Sequence, residues 1–227
     1  MLRLIESNIL DWKKSTRRKP LILRGGRQVG KTWLIENFLA GHFEHFIKID
    51  LEERLDLHVH FEGNLDPKVI LESLELSVGR ITPGKTLLFF DEVQSCPRAI
   101  MALRYFYEKL PELHVIAAGS LLEFAFDQIP IPVGRVQYLH MYPMTFYEYL
   151  LATDKEPMAK MTQQNPADVS DAIQMMILEE LKTYMFVGGM PESVKTYAKT
   201  SSLLESFAVQ SEILQSYQDD FSKYRPQ

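Results

Sequence analysis

Leu21-Ile22-Leu23-Arg24-Gly25-Gly26-Arg27-Gln28-Val29-Gly30-Lys31-Thr32 is an apolar run that breaks on glycines and restarts as a helix. Its second part has the spacing Gly-x-x-x-x-Gly-Lys-Thr, and each position answers a need of phosphate binding. Gly25 and Gly30 permit backbone angles that a side chain would block. Consecutive N–H groups along Gly26, Arg27, Gln28, Val29 and Gly30 can then point at one anion. A helix starting near Lys31 adds the positive end of its dipole. Lys31 is the expected partner of the β- and γ-phosphates, and the Thr32 hydroxyl the expected Mg²⁺ ligand. Leu34, Ile35, Phe38 and Leu39 at helical spacing supply the helix that such a loop requires.

The rest of the chain is consistent with one α/β domain and a smaller appendage. It has 227 residues, 46% of them hydrophobic, with 11 Gly and 12 Pro, so a well-buried core is available and global disorder is excluded. A single cysteine, Cys96, rules out an internal disulfide and suits a reducing compartment. Arg3 and Glu6 interrupt the first apolar stretch, so it does not read as a signal peptide, and no apolar run reaches membrane-spanning length. The expected address is cytoplasmic, with no membrane partner. A net charge of −5 argues against a chain coated for nucleic acid. The local run Lys13, Lys14, Arg17, Arg18 and Lys19 leaves DNA as a candidate partner, beside the plainer reading of a solvated helix end.

Leu2, Ile5, Ile9 and Trp12 predict a helix over 2–14 ahead of the first strand, Leu21 to Arg24. A second strand reads from Phe43 to Leu51. Glu52 to Pro67 reads as loop and short helix, and Lys68 to Val78 as a helix. Continuous apolar runs at Thr86–Phe90 and Leu113–Ala118 have the character of strands buried on both faces. A helix follows Pro97, and Arg135 to Leu139 reads as a further strand. Strands alternating with helices in this way mean a parallel, doubly wound sheet. After Tyr149 the strands stop. Residues 152–168 read as a polar connection, followed by helices marked by Ile173 to Tyr184 and by Leu203 to Phe221, with Gly188-Gly189-Met190-Pro191 as the turn between them.

The chemistry gathers at strand ends. Leu87-Leu88-Phe89-Phe90-Asp91-Glu92, about sixty residues after the loop, is a buried strand closing on two acids. Asp91 is placed to hold Mg²⁺ with Thr32, and Glu92 to orient and deprotonate the attacking water. The strand interposed between loop and acids, and the absence of Asn-Lys-x-Asp, favour adenine over guanine, hence ATP. Ser120, closing Val115 to Gly119, reads as a sensor of the γ-phosphate or the attacking water, as the N-cap of a helix through Leu122 to Phe126, or as both together. Arg135 is the first candidate for an arginine finger, with Arg27, Arg98 and Arg104 as rivals and a structural ion pair as the plain alternative for each. Gln94 is a further candidate near the γ-phosphate. His58 and His60 lack a third ligand at metal spacing and read as strand or loop.

Taken together, RGGRQVGKT, LLFFDEVQ, VIAAGS, GRV followed by YPMTFYEYL, and FVGGMPESV resemble the prokaryotic AAA+-type ATPases related to the STAND signalling ATPases. The resemblance implies a P-loop NTPase sheet of five parallel strands in the order 5-1-4-3-2, sandwiched by helices. It places the ATPase domain at residues 1–150 and a helical lid at 151–227, with Gly189 and Pro191 approaching the nucleotide. Read without the family, that turn is a helix-breaking corner. Relatives continue into a winged-helix segment and a nuclease-like domain, so the chain is expected to be a fragment, with a C-terminal effector domain or a homo-oligomer as the partner. The implied activity is slow, Mg²⁺-dependent ATP hydrolysis coupled to lid movement. The alternatives are a nucleotide-operated switch or a DNA-associated module with negligible turnover. A small-molecule kinase would need an acceptor pocket, which nothing in 150–227 suggests.

Overall fold

The computed structural model describes residues 1–120 and 134–223, with side chains described as far as residue 219 at the C-terminal end. The chain divides into two compact units, Ile5–Met141 on one hand and Met1–Leu4 with Tyr142–Gln227 on the other.

The first unit runs α1 (Ile5–Lys14), β1 (Leu21–Arg24), α2 (Lys31–Leu34), β2 (His45–Asp50), α3 (Pro67–Val78), β3 (Thr86–Asp91), α4 (Pro97–Lys109), β4 (His114–Ala118) and β5 (Gln137–His140). Directly after α2 the helix continues through a wider turn over Ile35–Leu39. The strands form one sheet in the order β2-β3-β4-β1-β5, which is the expected 5-1-4-3-2 read from the other edge. Every described pairing is parallel, and the strands end nearly level: Asp50 pairs with Asp91, Phe90 with Ala117, Leu23 with Ala118 and Arg24 with His140. The central strands β3, β4 and β1 are buried on both faces, as parallel strands are, whereas the edge strands β2 and β5 are partly exposed. Ile22, Leu88, Phe90, Val115 and Ala117 pack into one core with Ile70 and Leu74 of α3 and Ile100, Leu103 and Phe106 of α4. The alternate positions Leu21, Leu23, Leu87, Phe89 and Ile116 are equally buried, as are Ile9, Leu34, Ile35 and Leu39 from α1, α2 and the turn beyond it.

The second unit is helical: α5 (Phe146–Ala152), α6 (Glu156–Met161), α7 (Asp171–Val187), α8 (Pro191–Thr200) and α9 (Leu203–Lys223). Three of these depart from the expected organisation. α5 starts on a capping box, in which the Thr145 hydroxyl accepts from the Glu148 N–H and the Glu148 carboxylate accepts from the Thr145 N–H. The stretch expected to be a polar connection contains α6, whose Pro157 sits in the first turn, where no backbone donor is lost. α8 likewise opens on Pro191. Glu148 is the hub of this unit. Its Oε1 accepts from Arg3 Nε at 3.0 Å and from the Leu4 N–H at 2.7 Å, which ties the first residues of the chain to α5.

Candidate nucleotide site

Level strand ends bring Gly25–Thr32, Asp91, Glu92 and Ser120 to one edge of the sheet. The loop leaves β1 at Gly25, whose φ of +148° lies beyond easy reach of an L side chain. A Cβ there would stand 2.2 Å from the Met141 carbonyl oxygen, so glycine is required by space as well as by angle. Gln28 at φ 62° and Gly30 at φ 97° carry the turn into α2. Val29 is buried and braces the loop from beneath. Lys31 folds back over the turn, its Nζ donating to the carbonyls of Gly25 at 2.8 Å and Gly26 at 2.7 Å. An ammonium held in this way sits inside the loop, where it can exchange carbonyl oxygens for phosphate oxygens.

Thr32 and Asp91 meet directly: the hydroxyl donates to Asp91 Oδ2 at 2.8 Å. Asp91 Oδ1 accepts from the Glu92 N–H. Burial pushes the Asp91 carboxyl above its ordinary value, and the Thr32 hydroxyl and the Lys48 ammonium, 3.3 Å away, pull it back down. A fixed, nearly dry carboxylate beside a hydroxyl is an all-oxygen donor set, and it suits a hard divalent cation such as Mg²⁺. The described residues contain no cluster of three or more His, Cys, Asp or Glu side chains that could hold a metal ion, so a cation here would rely on Thr32, Asp91 and oxygens brought by its ligand.

Glu92 follows with φ 45° and ψ 47°, a left-handed conformation that costs a β-carbon-bearing residue free energy. Its Oε2 accepts from Gln94 Nε2 at 2.6 Å and from Ser120 Oγ at 3.4 Å, and Ser120 in turn accepts from Arg27 Nε at 3.2 Å. A chain of contacts therefore runs from the loop through Ser120 to Glu92. The helix for which Ser120 would serve as N-cap lies outside the described residues.

Other sequence candidates land elsewhere. Arg135 stands just before β5, at the opposite end of the sheet from the loop. There its guanidinium pairs with Glu108 at 3.1 Å, a carboxylate shared with Arg104. As a finger acting within its own chain it is therefore misplaced. The sign was in the sequence, because Arg135 opens its strand while Asp91 and Ser120 close theirs. Arg98 is spent on the carbonyls of Phe61 and Gly63. His58 bonds the Leu51 carbonyl, and burial pushes the Cys96 thiol up. Gly189 and Pro191 belong to the helical unit. A Cβ on Gly189 would lie 2.4 Å from the Met144 carbonyl oxygen, and its own carbonyl accepts from the Met144 N–H at 2.6 Å. Lys48 is the neighbour that pattern reading missed: nothing about a lysine inside a strand announces a partner on another strand.

Residues 17–150 match the family described as AAA domain, more than half of the chain. The chain belongs to the AAA domain family. The AAA domain match contains every residue of the site just described, from Gly25 to Ser120, and Arg135 as well. It makes this part of the chain a nucleotide-binding, ATPase-like domain. Residues 178–227, which include Gly189 and Pro191, match a domain of unknown function (DUF8612). No curated protein matches the chain in sequence. Among solved structures, that of C. elegans PCH-2 is 14% identical, covering 94% of this chain and 67% of its own, with a TM-score of 0.42. That of Drosophila ORC bound to DNA is 13% identical, covering 98% and 67%, with a TM-score of 0.47. No described helix is long and apolar enough to cross a membrane.

Proposed function

We propose that the AAA domain binds ATP with Mg²⁺ and hydrolyses it slowly, and that the helical residues 151–227 respond as a lid to the nucleotide state. The observation that carries this reading is the 2.8 Å contact between Thr32 and Asp91, with Glu92 next in the chain and Ser120 at its carboxylate. Lys31 binds and orients the β- and γ-phosphates, and the loop N–H groups hold their oxygens. Thr32 and Asp91 would hold Mg²⁺, whose charge offsets that of the phosphates when it is bound. Glu92 accepts a proton from water as the water oxygen forms a bond to the γ-phosphorus. The bond from that phosphorus to the β–γ bridging oxygen breaks, giving ADP and phosphate. Ser120, steadied by Arg27, orients the water or the γ-phosphate.

A nucleotide-operated switch with negligible turnover is the second reading. It is favoured by the two donors, Gln94 and Ser120, that both occupy Oε2 of the Glu92 carboxylate. Titration of a fluorescent ATP analogue with and without Mg²⁺, followed by phosphate release, separates the two. Saturable Mg²⁺-dependent binding with release that Glu92→Gln abolishes supports the enzyme. Binding with equal, negligible release from both proteins supports the switch. DNA binding rests on Lys14 and Arg17, the exposed members of the basic run. Duplex affinity that does not fall with salt would remove it.

A further inference from the structure

The contact between Thr32 and Asp91 has a third member. Lys48 lies on β2 in register with Phe89, so it shares a face of the sheet with Asp91, two residues further along β3. Its ammonium lies 3.3 Å from Asp91 Oδ2, the same oxygen that accepts from Thr32, and 2.9 Å from Glu36 Oε1. The Asp91 side chain is 4% exposed, whereas those of Lys48 and Glu36 are 30% and 38% exposed. The carboxylate is fixed and dry, and the ammonium sits on an edge strand with room to move. A buried carboxylate requires a counter-charge. The ammonium supplies it at the oxygen that a metal ion at Thr32 would also approach, and two cations so close repel strongly where water is scarce.

We propose that Lys48 is the resident counter-ion of Asp91, that it keeps free divalent metal out of the nucleotide-free loop, and that it retires to Glu36 when metal and nucleotide enter as one complex. The last clause rests on the nucleotide reading above. Phosphates bring negative charge that makes the ammonium dispensable at Asp91, and Glu36 keeps it paired once it lets go. Lys48 is thus a positioning residue that ties metal entry to nucleotide entry.

The test is Mn²⁺ binding to the nucleotide-free chain, read from the loss of the free-ion paramagnetic resonance signal. Lys48→Met should tighten Mn²⁺ about tenfold or more, by removal of a cation at contact distance. Glu36→Gln, which leaves the ammonium to Asp91, should weaken it. Lys85→Met, which removes a cation paired with Glu44 on the surface, should leave it unchanged. Unchanged affinity in Lys48→Met, or an equal gain in Lys85→Met, overturns the proposal. Failure of wild type to bind a fluorescent ATP analogue with Mg²⁺ overturns the nucleotide reading instead, because the Mn²⁺ comparison contains no nucleotide.

Discussion

The two ends of the one sheet use the same kinds of residue to opposite purposes. At the carboxyl ends of the strands, Lys31, Lys48, Arg27, Asp91, Glu92 and Ser120 converge, and each bonds within the group or to the loop itself. At the amino ends the charges are spread over apolar surface. Lys13 lies 4.7 Å from the Phe43 ring centre, Lys19 lies over Tyr107, and Arg18 donates to the carbonyls of Pro111 and Glu112. His114 is wedged between the rings of Trp12 and Phe43. Charge at the upper end gathers around the loop, whereas that of Lys13, Arg18 and Lys19 at the lower end covers the bottom of a core. A count of charged residues would not separate them. What separates them is convergence. At the upper end the charges meet on one loop and on one another. At the lower end they lie apart, over rings, on scattered carbonyls or in the exposed trio Arg104, Glu108 and Arg135.

The largest expected effect falls on the upper end. Glu92→Gln should lower phosphate release by about 10²–10⁴-fold, the usual worth of a positioned base, with ATP binding retained. Equal release by wild type and mutant would reduce the upper end to a binding site. Lys31→Ala should weaken ATP by roughly a hundredfold, as loss of one charge-assisted contact to phosphate implies. Retained affinity in that variant, in a titration with the fluorescent analogue, would place the nucleotide elsewhere.

Acid should act on the two ends with opposite sign. His114 is held down to about 4 from an ordinary 6.5, by burial first and by the nearby Arg18 charge second, and its Nδ1 finds no hydrogen-bond partner. Between those values the unfolded chain binds more protons than the folded one. The stabilising contribution is therefore complete above about pH 6.5 and is lost as pH falls toward 4. Its full size is roughly 3 kcal/mol. His114→Phe should flatten that loss in denaturant unfolding, and an unchanged pH slope would show that the ring is not buried as described. Asp91 works the other way. Its raised value means that the folded chain takes up the proton first, so its burial costs stability at neutral pH, and the cost is relieved as pH falls through the folded value.

Much of the upper end was legible because its residues obey spacing rules that reflect backbone geometry. Gly25 to Thr32, Asp91-Glu92 and Ser120 each close a strand, and the apolar runs before them set strand positions closely. Partnership across elements was not legible. Lys48 meets Glu36 from the turn after α2 and Asp91 from another strand, a pairing that only sheet order and register create. In the helical unit, Thr145-x-x-Glu148 is a readable capping box, but α5 is only seven residues long and all of them except Glu148 are apolar or aromatic, so no helical period shows. The glycine at 189 illustrates the limit from the other side. Its close approach to Met144 resembles that of Gly25 to Met141, yet the carbonyls of Phe186 and Val187 beside it are taken by Gln210 and, at Val187, also by Ser193. A glycine corner becomes a candidate anion site only where charged side chains join it.

Arg135 gives the smallest expected effect and the sharpest test of the division. Its pair with Glu108 is exposed on both sides, and such pairs are worth about 0–1 kcal/mol. Arg104 remains to satisfy the same carboxylate. Arg135→Ala should therefore shift the thermal midpoint by no more than a few degrees and change phosphate release less than twofold, measured across a range of protein concentrations. An arginine finger behaves otherwise, since its loss costs about 10³–10⁵ in rate. If Arg135→Ala lost turnover on that scale, and wild-type turnover per chain rose with concentration, the lower end of one chain would be completing the upper end of another. Arg135, Glu108 and Arg104 would then have to be read as a surface presented to a second copy. The contrast between the two ends would become a contact between them.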